Sequence, residues 1–155
     1  MTDEITLNLP DQTLGACASC PSIGSDYTYL EKGLSAMVVG DNVEAVKYFR
    51  RYQRLESSPG ADWEAGIAIA YEKMLPESPY YNWRAAADAY SRLMRRVPEG
   101  VELNQHILML TGTLAVLVDL HNYIDQLQNE TDDLSESLEK REEALKRLRA
   151  LTLGQ

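Results

Sequence analysis

The sequence predicts an all-α fold in which antiparallel helix pairs are followed by one long C-terminal helix. Three observations lead to it. Apolar residues recur three and four positions apart, the period of a helix face. Breaks rich in Gly, Pro and Ser cut the first hundred residues into helix-length pieces. Beyond Gly100 there is no proline, and Gly112 is the single glycine before Leu151. At 155 residues a single domain is the default, because two half-size domains would each bury too little.

Residues 1–25 carry scattered apolar positions between prolines and glycines and read as an irregular arm. Asp26 is placed to cap a first helix running to about Val39, with Tyr27, Leu30, Leu34 and Val38 on its face. Gly40-Asp41-Asn42 breaks it, and a second helix follows with Val43, Val46, Phe49 and Leu55 before Ser57-Ser58-Pro59-Gly60. So short a turn makes the two helices antiparallel neighbours. A third helix is expected from about Asp62 to Leu75, with Trp63, Ile67, Ala70 and Met74 as its face. Pro76-Glu77-Ser78-Pro79 interrupts the chain, and a fourth helix carries Trp83, Ala86, Ala87, Tyr90, Leu93 and Met94 up to Pro98.

Residues 26–98 thus form two helical-hairpin units. In the first, Gly33, Ala45 and Phe49 supply a small residue where two helices touch and a large one beside it. In the second, Gly66, Ala86 and Tyr90 repeat the order. This resembles the tetratricopeptide pattern of helix-turn-helix units, with the second unit lengthened by an insertion at residues 76–81. Two such units bury little alone, so a cap is required.

The cap is expected from residues 99–153, read as a long helix whose first half packs on the body. Its second half carries heptads: Leu117, Ile124, Thr131, Leu138, Leu145 and Thr152 alternate with Leu120, Leu127, Leu134, Arg141 and Leu148. A stripe this narrow, flanked by charges, fits one partner helix better than a globular core, the alternative being an amphipathic tail folded back on the body. Leu127, Leu134, Leu138, Leu145 and Leu148 are therefore candidate protein-binding residues. Tyr80, Tyr81 and Trp83 join them, because aromatics presented from a turn suit a protein-binding surface, the alternative being that they only pack the body.

Little in the sequence points to chemistry. His106 and His121 are 15 positions apart, over 20 Å on a straight helix, and cannot share a metal or a proton relay. Phosphate loops, nucleophile elbows and HExxH are absent, so no enzyme, cofactor or metal is expected. The net charge of -9 opposes nucleic-acid binding, and Arg50-Arg51 and Arg95-Arg96 are too small as patches to reverse it. Ile107–Val118, the longest uncharged stretch, reads as a buried helix and not a membrane span. Cys17 and Cys20 have a CxxC spacing that permits a local disulfide, half a metal site or a redox pair, or simply two small residues in an arm.

The order Trp63-Glu64-Ala65-Gly66-Ile67-Ala68-Ile69-Ala70, Pro79-Tyr80, Arg84 through Ala89, Arg92-Leu93 and Pro98, with Leu138 through Leu145 and Leu148, resembles the periplasmic region of the QseG/YfhG-like bacterial outer-membrane lipoproteins over residues 26–151. That resemblance implies a non-enzymatic accessory of a two-component sensor histidine kinase, anchored to the outer membrane by lipid and binding the kinase's periplasmic domain. It implies no catalytic residues. The family's lipidated cysteine has no clear counterpart; Cys17 is the candidate, without an apolar leader before it. An oxidising periplasm would allow Cys17 and Cys20 to pair. The rival readings are a cytosolic tetratricopeptide-like adaptor or chaperone, favoured by acidity and the missing leader, and a structural coiled-coil oligomer formed through the C-terminal helix.

Overall fold

The computed structural model describes residues 26–154; the N-terminal arm, with Cys17 and Cys20, lies outside the described residues. Among the described residues five helices form and no strand: α1 (Thr28–Val38), α2 (Asn42–Glu56), α3 (Pro59–Glu72), α4 (Trp83–Met94) and α5 (Gln105–Leu153). Short polar side chains start four of them by accepting hydrogen bonds from otherwise unpaired first-turn amides. Asp41 accepts from Glu44 N, Ser58 from Ala61 N, Asn82 from Ala85 N and Asn104 from His106 N. Ser57 closes α2 in the left-handed region (φ 43°), and Pro59 opens α3 in its first turn, so one residue, Ser58, separates the reversal from the new helix.

Helices α1 and α2 run antiparallel. Tyr27, just ahead of α1, has its ring 6.2 Å from that of Tyr52 near the end of α2. The axes approach closely at Gly33, where an added methyl would overlap the edge of the buried Phe49 ring. Helices α3 and α4 are likewise antiparallel, with Trp63 Nε1 donating to Leu93 O at 3.0 Å. α3 is the central element, packed on all four others; Ala61, Ala65, Ala68 and Ala70 are buried along it, small enough to let its neighbours close in.

Glu64 joins three elements in the middle of this packing. It is 2% exposed. Tyr52 OH donates to one carboxylate oxygen and the backbone N–H of Asn104 to the other, each at 2.6 Å. Burial and the adjacent carboxylate push the Tyr52 phenol well above its ordinary range, so it stays a donor. Tyr27 OH donates to Glu102 O at 3.1 Å, and Gly60 faces Val101 closely enough that a Cβ there would lie 2.9 Å from its methyl. The segment before α5 is thereby tied to α1 and α3, and Asn104, held by Glu64, caps α5.

From that point α5 runs parallel to α3. Ile107 enters the core cluster of Leu30, Phe49, Tyr52 and Ile67. Leu114 and Val118 enter a second cluster with Ala70, Met74 and Ala86. The last contacts with the body come from α4, where Trp83 stacks on His121 with 5.0 Å between ring centres and Arg84 pairs with Asp125 at 2.9 Å. From Gln126 to Gly154 every residue is exposed, so α5 projects for roughly 40 Å at about 1.5 Å per residue.

Several local expectations change. Val38 is 82% exposed, and Val43 and Leu55 are also on the surface; Val38 and Val43 lie at the turn joining α1 to α2, while Leu55 lies at the far end of α2, where Tyr52 is the buried large side chain. α3 starts at Pro59 and ends at Glu72, because Ser58 and Pro59 start a helix where a break was expected. Gly66 meets Leu93 rather than Tyr90. α5 starts at Gln105 and not near Glu99, because residues 97–104 are used to reach Glu64 and Gly60. Of the stretch 107–118 only Ile107, Leu114 and Val118 are buried, while Met109 is 72% exposed. The helix is long and apolar enough to cross a membrane by length and composition, although those three residues are committed to the body's core.

Two glycines give opposite expectations. Gly33→Ala should destabilise the protein by about 1–3 kcal/mol, since the new methyl meets a fully buried ring. Gly112→Ala meets nothing within 4 Å and should stabilise by about 0.5–1 kcal/mol through helix propensity. Urea unfolding followed by circular dichroism measures both.

Candidate protein-binding surface

The exposed apolar residues of α5 form one stripe. It begins beside the body with Met109, Val116, Leu120 and Tyr123 and continues through Leu127, Leu134, Leu138, Leu145, Leu148 and Leu151, all exposed. Leu134 and Leu138, 66% and 60% exposed, are large apolar side chains with no other helix beside them among the described residues. Acids flank them: Glu130, Asp132, Asp133, Glu136 and Glu139, with Lys140, Arg141, Lys146, Arg147 and Arg149 nearer the end. Two ion pairs one turn apart, Lys140–Glu136 and Arg147–Glu143, brace the projecting helix. Such exposed pairs add only a few tenths of a kcal/mol each.

The aromatic turn is divided between two roles. Residues 73–82 form a closed loop, fastened by Asn82 N donating to Lys73 O at 2.9 Å and by Tyr81 N donating to Ser78 O at 3.0 Å. It presents Tyr81, 43% exposed, while Tyr80 is half-buried. Trp83 does not join them. Its ring is stacked on His121 and carries the Arg84 guanidinium 4.9 Å from its centre, so it fastens α4 to α5. His121 is thereby accounted for as a stacking partner. The structure does not bring the tyrosine turn and the leucine stripe of residues 127–148 into one site; they occupy separate parts of the molecule.

Two features were not legible in the residue pattern. Lys73, Arg92 and Arg96 line an open groove of about 510 Å³ between α3 and α4 over Gly66, Ile69 and Leu93. No ion pair holds these three cations among the described residues. The second is Glu72, fully buried behind the inserted turn with neither carboxylate oxygen in a hydrogen bond. Burial pushes its carboxyl up to about 7, and the nearby Ser78 hydroxyl opposes that only partly. Among the described residues no group of three or more His, Cys, Asp or Glu is arranged to hold a metal ion.

Comparison with protein-family models, curated proteins and solved structures gives no match.

Glu72 makes stability depend on pH. Its folded value lies above its ordinary 4.5, so the native state holds a proton that the unfolded chain has lost. The associated stability is complete below about pH 4.5, falls as pH rises toward 7 and levels off above it. Between pH 5 and 8 the loss due to this group should be on the order of 2–3 kcal/mol. Urea titrations across that range should show Glu72→Gln more stable than the native chain at pH 8, with the difference shrinking toward pH 5.

Proposed function

We propose that this chain is a non-enzymatic protein-binding scaffold, with α1–α4 acting as a tetratricopeptide-like body and the outer half of α5 as a coiled-coil-forming helix. The observation that carries this is the projecting stripe. A helix that leaves its domain at Asp125 and exposes leucines at heptad spacing to its end buries its apolar face only against another helix. The close Gly33–Phe49 contact and the antiparallel α3–α4 pair support the tetratricopeptide-like reading of the body, with residues 73–82 as the bulged turn of the second unit.

Within that class, the family resemblance favours an accessory lipoprotein of the bacterial envelope, anchored at the outer membrane in its native precursor and facing the periplasm. Its partner there is the periplasmic domain of a two-component sensor histidine kinase. The reading takes no cofactor or metal and no nucleic acid, and membrane contact comes only through the lipid. Tyr81 and the half-buried Tyr80 offer a second contact at the side of the body. A cytosolic adaptor is the competing reading, and the basic groove over Gly66 and Leu93 favours it to the extent that it suits an acidic peptide.

Titration of the full chain against the periplasmic domain of the sensor kinase, by calorimetry, tests the proposal. Saturable binding is expected, weakened at least about tenfold by Leu138→Arg, because a charge then enters the seam. The helicity of the body should be unchanged. Absence of binding by two folded proteins would move the assignment to the adaptor, and binding indifferent to Leu138→Arg would move the contact off the seam.

A further inference from the structure

The heptad stripe accepts helices in general, but two independent features of residues 126–153 select one occupant. We infer that the projecting half of α5 pairs antiparallel with the same segment of a second copy, about a symmetry point between Glu139 and Lys140. This rests on the reading of the stripe as a helix-pairing surface and names a second copy as its occupant when no other partner helix is bound.

The first feature is the seam's composition. Arranged about that point, the layers are Leu127 with Thr152, Thr131 with Leu148, Leu134 with Leu145 and Leu138 with Arg141, each occurring twice by symmetry. Every polar seam residue meets a leucine of the other copy. A parallel, in-register pair would instead set Arg141 against Arg141 and Thr131 against Thr131, burying like charges face to face.

Charge is the second feature. Residues 126–139 contain Glu130, Asp132, Asp133, Glu136 and Glu139 and no cation. Residues 140–153 contain Lys140, Arg141, Lys146, Arg147 and Arg149 against Glu142 and Glu143. The sign changes at the proposed symmetry point. Antiparallel pairing lays each acidic block along the other copy's basic block, whereas parallel pairing lays acid on acid over the first half.

The geometry leaves room for the two bodies. The body releases α5 after the Arg84–Asp125 ion pair, and about the same point Gln126 lies beside Leu153 of the second copy, so pairing along residues 126–153 keeps the bodies apart. The bodies stand at opposite ends of a shared rod roughly 40 Å long.

Cysteine cross-linking tests this in the full chain, with Cys17→Ser and Cys20→Ser as background. Thr131→Cys and Leu148→Cys are made separately, checked for helicity, and mixed at roughly 100 μM, a concentration that reveals weak pairing. The expected result is a disulfide between the two variants when mixed and little within either alone. Light scattering of the cysteine-free background should show a dimer that weakens as salt rises, and Leu138→Arg should raise its dissociation constant at least about tenfold. Preferential cross-linking of each variant to itself would overturn the antiparallel arrangement while leaving the stripe a helix-pairing surface. A monomer without cross-links would overturn self-pairing altogether, leaving the kinase-domain titration as the separate test of the stripe as a contact for another protein.

Discussion

Glu64 accepts a hydrogen bond from the phenol of Tyr52 at the end of α2 and another from the backbone amide of Asn104 at the start of α5. A carboxylate buried in this way costs several kcal/mol in desolvation and is tolerated only where its oxygens are satisfied. Both are, and by groups from different parts of the chain. The arrangement is therefore demanding: α2, α3 and the segment before α5 must all be in place before Glu64 is stable where it sits. Asn104, once fixed, spends its side chain on capping α5 at His106 N. The origin and direction of the longest helix follow from one acid in the middle of the core.

The direction decides the surface. Because α5 leaves Asn104 parallel to α3, it can bury Ile107, Leu114 and Val118 before the body runs out, and Trp83 with His121 and Arg84 with Asp125 make the final contacts. Everything beyond carries leucines on one stripe with charges around it, and two i to i+4 ion pairs, Glu136–Lys140 and Glu143–Arg147. The stability of that segment comes from local propensity and from whatever it pairs with, since an isolated helix is marginal in water. Glu72 is the counterpart of Glu64 in the same helix, equally buried but without satisfied oxygens, so its burial costs stability as pH rises toward 7.

Much of the helical layout was legible in the residues. Trp63, Ile67, Ala70 and Met74 were expected to face inward and do, since this part of the chain is apolar around most of its circumference and α3 is covered on several sides. Gly33 opposite Phe49 was also readable, a missing side chain beside an excess one. The faces of α1 and α2 were read less well because apolar Val38, Val43 and Leu55 look like core residues in a window, and only the tertiary arrangement shows that both ends of α2 leave them on the surface. Glu64 was invisible for a different reason: an acid in a helix is ordinarily solvated, and no local pattern announces a Tyr twelve residues earlier and a backbone amide forty residues later as its donors. The same holds for Trp83, whose position after a turn suggested display, while its stacking partner His121 lies on another helix. The leucine stripe could be read directly, because a heptad pattern is local; what covers it is not encoded locally.

The most direct test of the central claim is residue-resolved hydrogen exchange on the native chain and on Glu64→Ala. If the buried carboxylate sets the start of α5, the substitution will lower protection together at the end of α2, in α3 and across residues 105–118, while residues 126–153 exchange as before. Protection of residues 105–118 unchanged by the substitution would contradict the account, showing that α5 is held to the body by its apolar contacts alone.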